Sequence, residues 1–280
     1  MSFISTLFRS GRFRAAVFML LLILGFAFIG PILDGHNPLF AIGGRYDAPS
    51  AKAWLGTDAI GNDVFSQLAR GISTSLVIGV IAGAIATSIG VVLGSIAGYL
   101  GGWTDEALMG FTNVVITIPT IVVLVLLSVT VPTRSIQVMG LIIGITSWPW
   151  LARAVRAQAA SLRVREHVDV ARLSGANGGQ IVLREILPYM ASYVFMAFVL
   201  QLSSGILNEA GLSLLGLGPD NAISLGKMLQ NALQGEALRT GAYWALLPQT
   251  VLLAVISFAL LLLQSSMDEV FNPRLRKGNG

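Results

Sequence analysis

Between residues 163 and 189 the chain reads R-V-R-E-H-V-D-V-A-R-L-S-G-A-N-G-G-Q-I-V-L-R-E-I-L-P-Y, a polar, basic stretch set between long apolar ones. Its spacing predicts a small amphipathic helix with a programmed stop. Val168, Ala171 and Leu173 can share an apolar side, and Glu166, Asp169 and Arg172 a charged one. Gly175 ends the helix, because glycine enters the left-handed region at little steric cost. A short link beginning at Ala176 follows, and Leu187-Pro188 opens the next apolar segment, proline being tolerated at a helix start. An element of this kind lies outside a bilayer and offers a helix to another protein's groove. It has the shape of a docking site.

Working outward, composition sets the class. Of 280 residues, 54% are apolar and only 11% charged, against about a quarter charged in a soluble domain. The chain cannot cover a water-facing surface of its size, so it reads as one compact, all-helical domain integral to a membrane. With no cysteine, disulfides, thiolate metal sites and a cysteine nucleophile are excluded. The two histidines, His36 and His167, fall on opposite sides of the membrane, so no metal site is expected. No phosphate-binding loop is present, so any nucleotide must be handled by another chain. The net charge of +4 belongs to topology, not to nucleic-acid binding.

A helical span needs about 20 apolar residues. Residues 15–33, 72–100, 107–131, 136–151, 189–207 and 245–264 read as six spans, of which the fourth is short. The second can begin outside the bilayer, and the fourth can extend into Trp148-Pro149-Trp150. The domain expectation is a tail over 1–14, a membrane domain over 15–264 with a coupling loop at 152–188, and a tail over 265–280. Arg9, Arg12 and Arg14, the six arginines between 153 and 184, and Arg274, Arg276 and Lys277 fall on one side, 12 of 18 basic residues. Lysine and arginine mark the cytoplasmic side, so both termini and the docking loop are expected there.

Gly90, Gly94, Gly98 and Gly102 recur every four residues along the second span. Such stripes let helices approach closely in lipid, either for plain packing or for a surface that slides. Polar residues inside spans are few: Asn113, Thr117, Gln201 and Ser204 are pathway candidates, or interhelical hydrogen bonds. Glu209 is costly to bury near a span end. It either meets a cationic substrate group or accepts hydrogen bonds from the backbone at 211–215. A stand-alone secondary transporter would need ionisable groups within its spans, which are almost absent here. An integral-membrane enzyme would need clustered His, Asp or Ser near one interface.

The docking stretch resembles the EAA loop of ABC-importer permeases. Asp169-Val170-Ala171, Gly175 and Leu187-Pro188 sit at that loop's spacings. Asp replaces the usual Glu, Val the first Ala, and Glu185 the isoleucine, for which Ile186 can serve. Two further segments are similar to the dipeptide, oligopeptide and nickel permease branch. In W-L-G-T-D-A-I-G-N-D-V-F-S-Q-L-A-R-G (54–71), the matching residues include Trp54, Gly56, Thr57, Asp58, Gly61 and Asp63. In N-E-A-G-L-S-L-L-G-L-G-P-D (208–220), Glu209 and the leucine-glycine run match, and N-P-R-L-R (272–276) resembles the family's tail. The outer residues either fold their loop or meet a substrate-delivering protein.

The resemblance implies a six-span type I importer permease whose 166–178 helix couples to an ATPase through Glu166, Asp169, Ala171, Arg172, Gly175, Ala176, Leu187 and Pro188. It implies a second homologous permease, two ATPase subunits or domains carrying ATP and Mg, and an extracytoplasmic binding protein, in a bacterial or archaeal plasma membrane. This chain would itself be non-catalytic and bind no cofactor. The branch's cargoes are mostly di- and oligopeptides, with nickel chelates, opines, glutathione and oligosaccharides as alternatives.

Overall fold

The computed structural model describes residues 10–271, and the tail basic residues Arg9, Arg274, Arg276 and Lys277 and the 272–276 segment lie outside that range. Helix α1 (Gly11–Asp34) is capped by Ser10, whose Oγ accepts from the Phe13 amide. Helix α2 (Val64–Leu100) follows a long loop and is capped by Asp63 through the Ser66 amide. At 37 residues and 1.5 Å per residue, α2 is about 55 Å long. That exceeds the roughly 30 Å apolar thickness of a bilayer, so its ends project. The early start at Val64 accounts for the length seen in the sequence.

Helices α3 (Gly102–Thr117) and α4 (Thr120–Thr130) meet at an 80° bend, which makes them one broken span or a re-entrant pair. Pro119 lies at the break, where its ring and missing N–H stop the helix. Helix α5 runs from Ile136 to Arg163, twelve residues past the expected end, so the loop expected from 152 begins at Val164. Hydropathy stops at Arg153 and Arg156, but both arginines find partners on α3: Arg153 donates to Asn113 Oδ1 (2.6 and 3.0 Å) and Arg156 pairs with Asp105. Helix α6 (Glu166–Leu173) precedes α7, which comprises Gly178–Ile181, a π turn at Val182–Ile186 and a last turn at Leu187–Tyr189. Then come α8 (Ala191–Leu214), α9 (Leu225–Gln234) and α10 (Leu247–Phe271). Among the described residues five helices are long and apolar enough to span, or six with the bent pair as one.

The centre of the bundle is α2, and its glycines set who packs there. A Cβ on Gly94 would lie 2.5 Å from the Ala152 carbonyl and 2.8 Å from Val155 Cβ; one on Gly98 would lie 2.5 Å from the Arg156 carbonyl. The α5 backbone thus rides directly on the stripe, as small residues permit in lipid. Further toward its start, Gly79 and Gly83 receive Ile206 and Leu202 of α8. Gly102 does not belong to the stripe. It sits with Gly101 at positive φ, where the chain leaves α2 for α3.

Candidate functional site

The docking element is built on the C-terminal end of α2. Val168 is fully buried, in one cluster with Val155, Ala159, Ile181 and Ile186, and Ala171, Ala176, Leu187 and Tyr99 pack around it. Glu166 and Asp169 lie in the first turn of α6 and Arg172 in the last, the arrangement a helix dipole favours. Arg172 donates to Asp169 (2.9 Å) and lies over the Tyr99 ring at 5.6 Å. His167 stacks on Tyr189, centroids 4.1 Å apart.

Leu173 departs from the expected apolar side. It is 89% exposed, as is Val170 at 62%. Five residues of helix turn Leu173 about 140° from Val168, so it points away from the core with Val170. The stop at Gly175 is present: φ is +83°, and the Ala176 amide reaches back to the Ala171 carbonyl at 3.1 Å. Nothing lies within 4 Å of where a Gly175 Cβ would be, so conformation alone demands the glycine. The link to Leu187-Pro188 is helical, not irregular. Asn177 and Gln180 form a reciprocal capping box, and the Leu187 amide bonds the Val182 carbonyl five residues back. Pro188 has no N–H to offer the Arg184 carbonyl, and a π turn absorbs the mismatch. Between α6 and α7 runs an open groove of about 530 Å³, lined by His167, Val170, Ser174, Gln180, Arg184 and Glu185 among others.

At the other end of α2, the residues of 54–63 are occupied in folding. Asp58 accepts from the Ile60 and Asn62 amides, both at 2.9 Å, and from Gln67 Nε2 at 2.7 Å. Thr57 Oγ1 accepts from the Asp47 amide and donates to the Gly44 carbonyl. Gly56 (φ +70°) and Gly61 (φ +87°) make the turns. Trp54 sets its edge on Phe65 at 4.9 Å and stays 47% exposed.

Glu209 is completely buried and carries no substrate-facing surface. Its Oε1 accepts from Ser213 Oγ (2.7 Å) and Ser224 Oγ (2.6 Å), and Oε2 from Ser75 Oγ (3.2 Å). The donors are serine hydroxyls from α2, α8 and the start of α9, not the backbone at 211–215. Ser75 and Ser224 also accept the Leu225 and Lys227 amides, so the carboxylate ties three helices together. Nearby, Asp220 bonds Arg134 through both backbone and side chain, at 2.7 Å to the amide and 2.7 and 3.1 Å to the guanidinium. These hydrogen bonds, the backbone one foremost, hold its carboxyl below the usual range.

A cavity of about 580 Å³ opens beside α8, walled by the α3–α4 break, the middle of α5 and one residue of α10. Of the pathway candidates, Gln201 and Ser204 line it; Asn113, Thr117 and Glu209 do not. Asn113 is engaged by Arg153, and Thr117 Oγ1 donates to the Val114 carbonyl. Sequence reading missed Asn208, Thr120, Thr146, Ser147, Tyr193 and Gln264, which also line it. The signal was there for Asn208: it follows Gln201 and Ser204 on one helix stripe.

The family of binding-protein-dependent transport system inner membrane components matches over residues 90–277. This chain belongs to that family. The permease is 32% identical to the oligopeptide transport system permease protein OppC of Mycobacterium tuberculosis over 256 residues, 88% of this chain and 86% of that one. It is 30% identical to the dipeptide transport system permease protein DppC of Bacillus subtilis over 266 residues, 94% of this chain and 82% of that one. Among solved structures, the inward-facing MetNI methionine ABC transporter matches the permease with a TM-score of 0.57 at 20% identity, covering 73% of this chain and 95% of that chain. That likeness establishes the type I importer permease fold. The permease is thus a multi-pass membrane component of an ABC importer.

Proposed function

We propose that this chain is one of two permease subunits of a peptide importer, with ATP hydrolysis carried out wholly by partner chains. The names of the M. tuberculosis and B. subtilis relatives support a peptide cargo. The observation that carries the coupling half of this reading is α6. It is a short helix packed on the bundle by Val168 and Ala171, with Val170 and Leu173 turned outward and exposed among the described residues. A groove-bearing ATPase is the partner such a face fits. The basic residues of the loop around it support a cytoplasmic location for this end and for both termini. ATP-driven closure of the ATPases then moves α6, and the spans switch access because the ATPase holds the two states with different affinity.

The test is gentle purification of the tagged chain from its native cells, with mass spectrometry of what accompanies it. Recovery of a second six-span permease and ATPases, with uptake of labelled tripeptides by the reconstituted assembly, is the expected result. A chain that emerges alone and monodisperse refutes the subunit reading. An intact assembly that moves no peptide refutes the cargo.

A further inference from the structure

We infer that the loop between α1 and α2, residues 35–62, is an interfacial anchor that seats Leu39, Phe40, Trp54 and Ile60 in the outer leaflet of the bilayer. Depth is the first argument. Phe26 of α1 meets Phe65 of α2 edge to face, centroids 5.1 Å apart, and Phe65 meets Trp54 at 4.9 Å. Phe26 lies eight residues before the end of α1 at Asp34, a rise of about 12 Å. Two ring contacts therefore hold Trp54 beside the last turns of α1, at the level where that span leaves the apolar layer. A tryptophan left 47% exposed there sits where aromatic side chains meet the headgroup boundary. The rest of the loop is tied to the same level. The His36 carbonyl accepts from Ser66 Oγ in the first turn of α2, at 3.4 Å. The Ile42 and Gly43 amides both donate to the Gly61 carbonyl, and Ala41 pairs with Asn62, next to the Asp63 cap. Phe40 and Ile60 flank this pairing.

Lipid is the occupant this placement fits. The loop's polar groups turn to its own chain: Asp58 holds Gln67, Asp47 accepts the Gly44 amide and Arg45 donates to the Gly235 carbonyl. Leu39, Phe40, Trp54 and Ile60 are left outside as large exposed apolar side chains. They continue an apolar face of the span below. Ile29 and Leu33 follow Phe26 by three and seven residues, on one stripe of α1, and both are exposed. An element with its apolar side outward at this depth dips into the boundary of headgroups and acyl chains. Lys52, exposed two residues before Trp54, is of the type that anchors beside it at headgroups. The contact fixes the outer ends of α1 and α2 at the bilayer surface without any soluble partner.

The chain has no cysteine, so single probes report cleanly. Phe40→Cys and Ile60→Cys each carry a nitrobenzoxadiazole fluorophore, in the assembly purified with its own subunits and set in phosphatidylcholine nanodiscs without binding protein. Arg239→Cys, at a side chain 80% exposed, is the water-facing reference. One quencher is phosphatidylcholine with a nitroxide high on its acyl chain, and the other is aqueous iodide. We expect the nitroxide lipid to quench positions 40 and 60 at least threefold more strongly than position 239, and iodide at least threefold less. Iodide quenching equal to that at 239 overturns the inference and leaves the patch open to a soluble partner. Protection from both quenchers overturns it too, because the second permease or another subunit then covers the loop. Leu39→Cys, at a third exposed position, replaces either variant should it fail to assemble. If the chain emerges with no other subunit, the subunit reading fails, while the same quenching of the lone chain in nanodiscs still decides the anchor.

Discussion

The two ends of α2 treat their polar and apolar residues in opposite ways. At the Asp63 end the polar groups are consumed: Asp58, Asp63, Glu209 and Asp220 all hold amides, hydroxyls or guanidinium in place. At the Leu100 end the element is held by buried Val168, Ile181 and Ile186, while Val170, Leu173 and Leu183 stay in solvent. One end pairs its polar groups within its own chain, with Phe40 and Ile60 exposed beside them. The other carries an outward apolar row on a short helix with no partner among the described residues, a mark of an interaction surface. Motif residues at the first end therefore report folding, and those at the second report assembly.

The comparison can be broken by substitution, and the largest effect should come from the stripe that connects the two ends. Gly94→Leu drives a side chain into the Ala152 carbonyl and Val155, where neither backbone can retreat without separating α2 from α5. The expected outcome is loss of folded protein, read as the yield of monodisperse material from membranes. At the Asp63 end, Glu209→Ala strands three hydroxyls whose acceptor it was. Unpaired buried groups cost about 1–3 kcal/mol each, so a large fall in melting temperature is expected. Glu209→Gln should fall less, because the amide oxygen still accepts.

Gly175→Val probes the Leu100 end. A β-branched residue at φ +83° costs roughly 1–2 kcal/mol in a segment with open space around it. Insertion should be unchanged and the melting temperature lowered by a few degrees, while uptake per ATP hydrolysed drops about tenfold; intact coupling would remove α6 from the mechanism. Leu173→Asp should leave melting of the isolated chain unmoved, since the side chain is 89% exposed, yet weaken ATPase co-purification. Equal co-purification would show that the exposed row is not the docking face.

The smallest effect is a pH dependence at the Asp63 end. Arg134 lowers the Asp220 carboxyl in the folded protein. Its stabilisation is therefore complete above the ordinary value of about 3.9 and is lost as pH falls through the lowered folded value. The stability gap between wild type and Asp220→Asn should be present at neutral pH and close under strongly acidic conditions. A gap that persists there would mean the contact works without its charge.

The span count, the stop at Gly175 and the place of the Leu187-Pro188 turn were legible in the sequence, because hydropathy and backbone freedom are local properties. The membership of Gln201 and Ser204 in the cavity was a choice among equals until the fold separated them from Asn113 and Thr117. That α5 continues as helix past Arg153 and Arg156 is not legible from hydropathy, because Asn113 and Asp105 meet them only in the fold. Glu209 was legible as a costly residue, but its partners Ser75 and Ser224 stand 134 and 15 residues away, and no local pattern joins them. Spacing sets Leu173 on one apolar side with Val168 and Ala171, whereas the angle around α6 sends it outward. What the chain alone decided is which segments enter a membrane and where helices stop, since those follow from each residue's own solvation and torsions. What only the tertiary structure decided is which polar group meets which, because burial changes a group's energy through neighbours that the chain brings from far away.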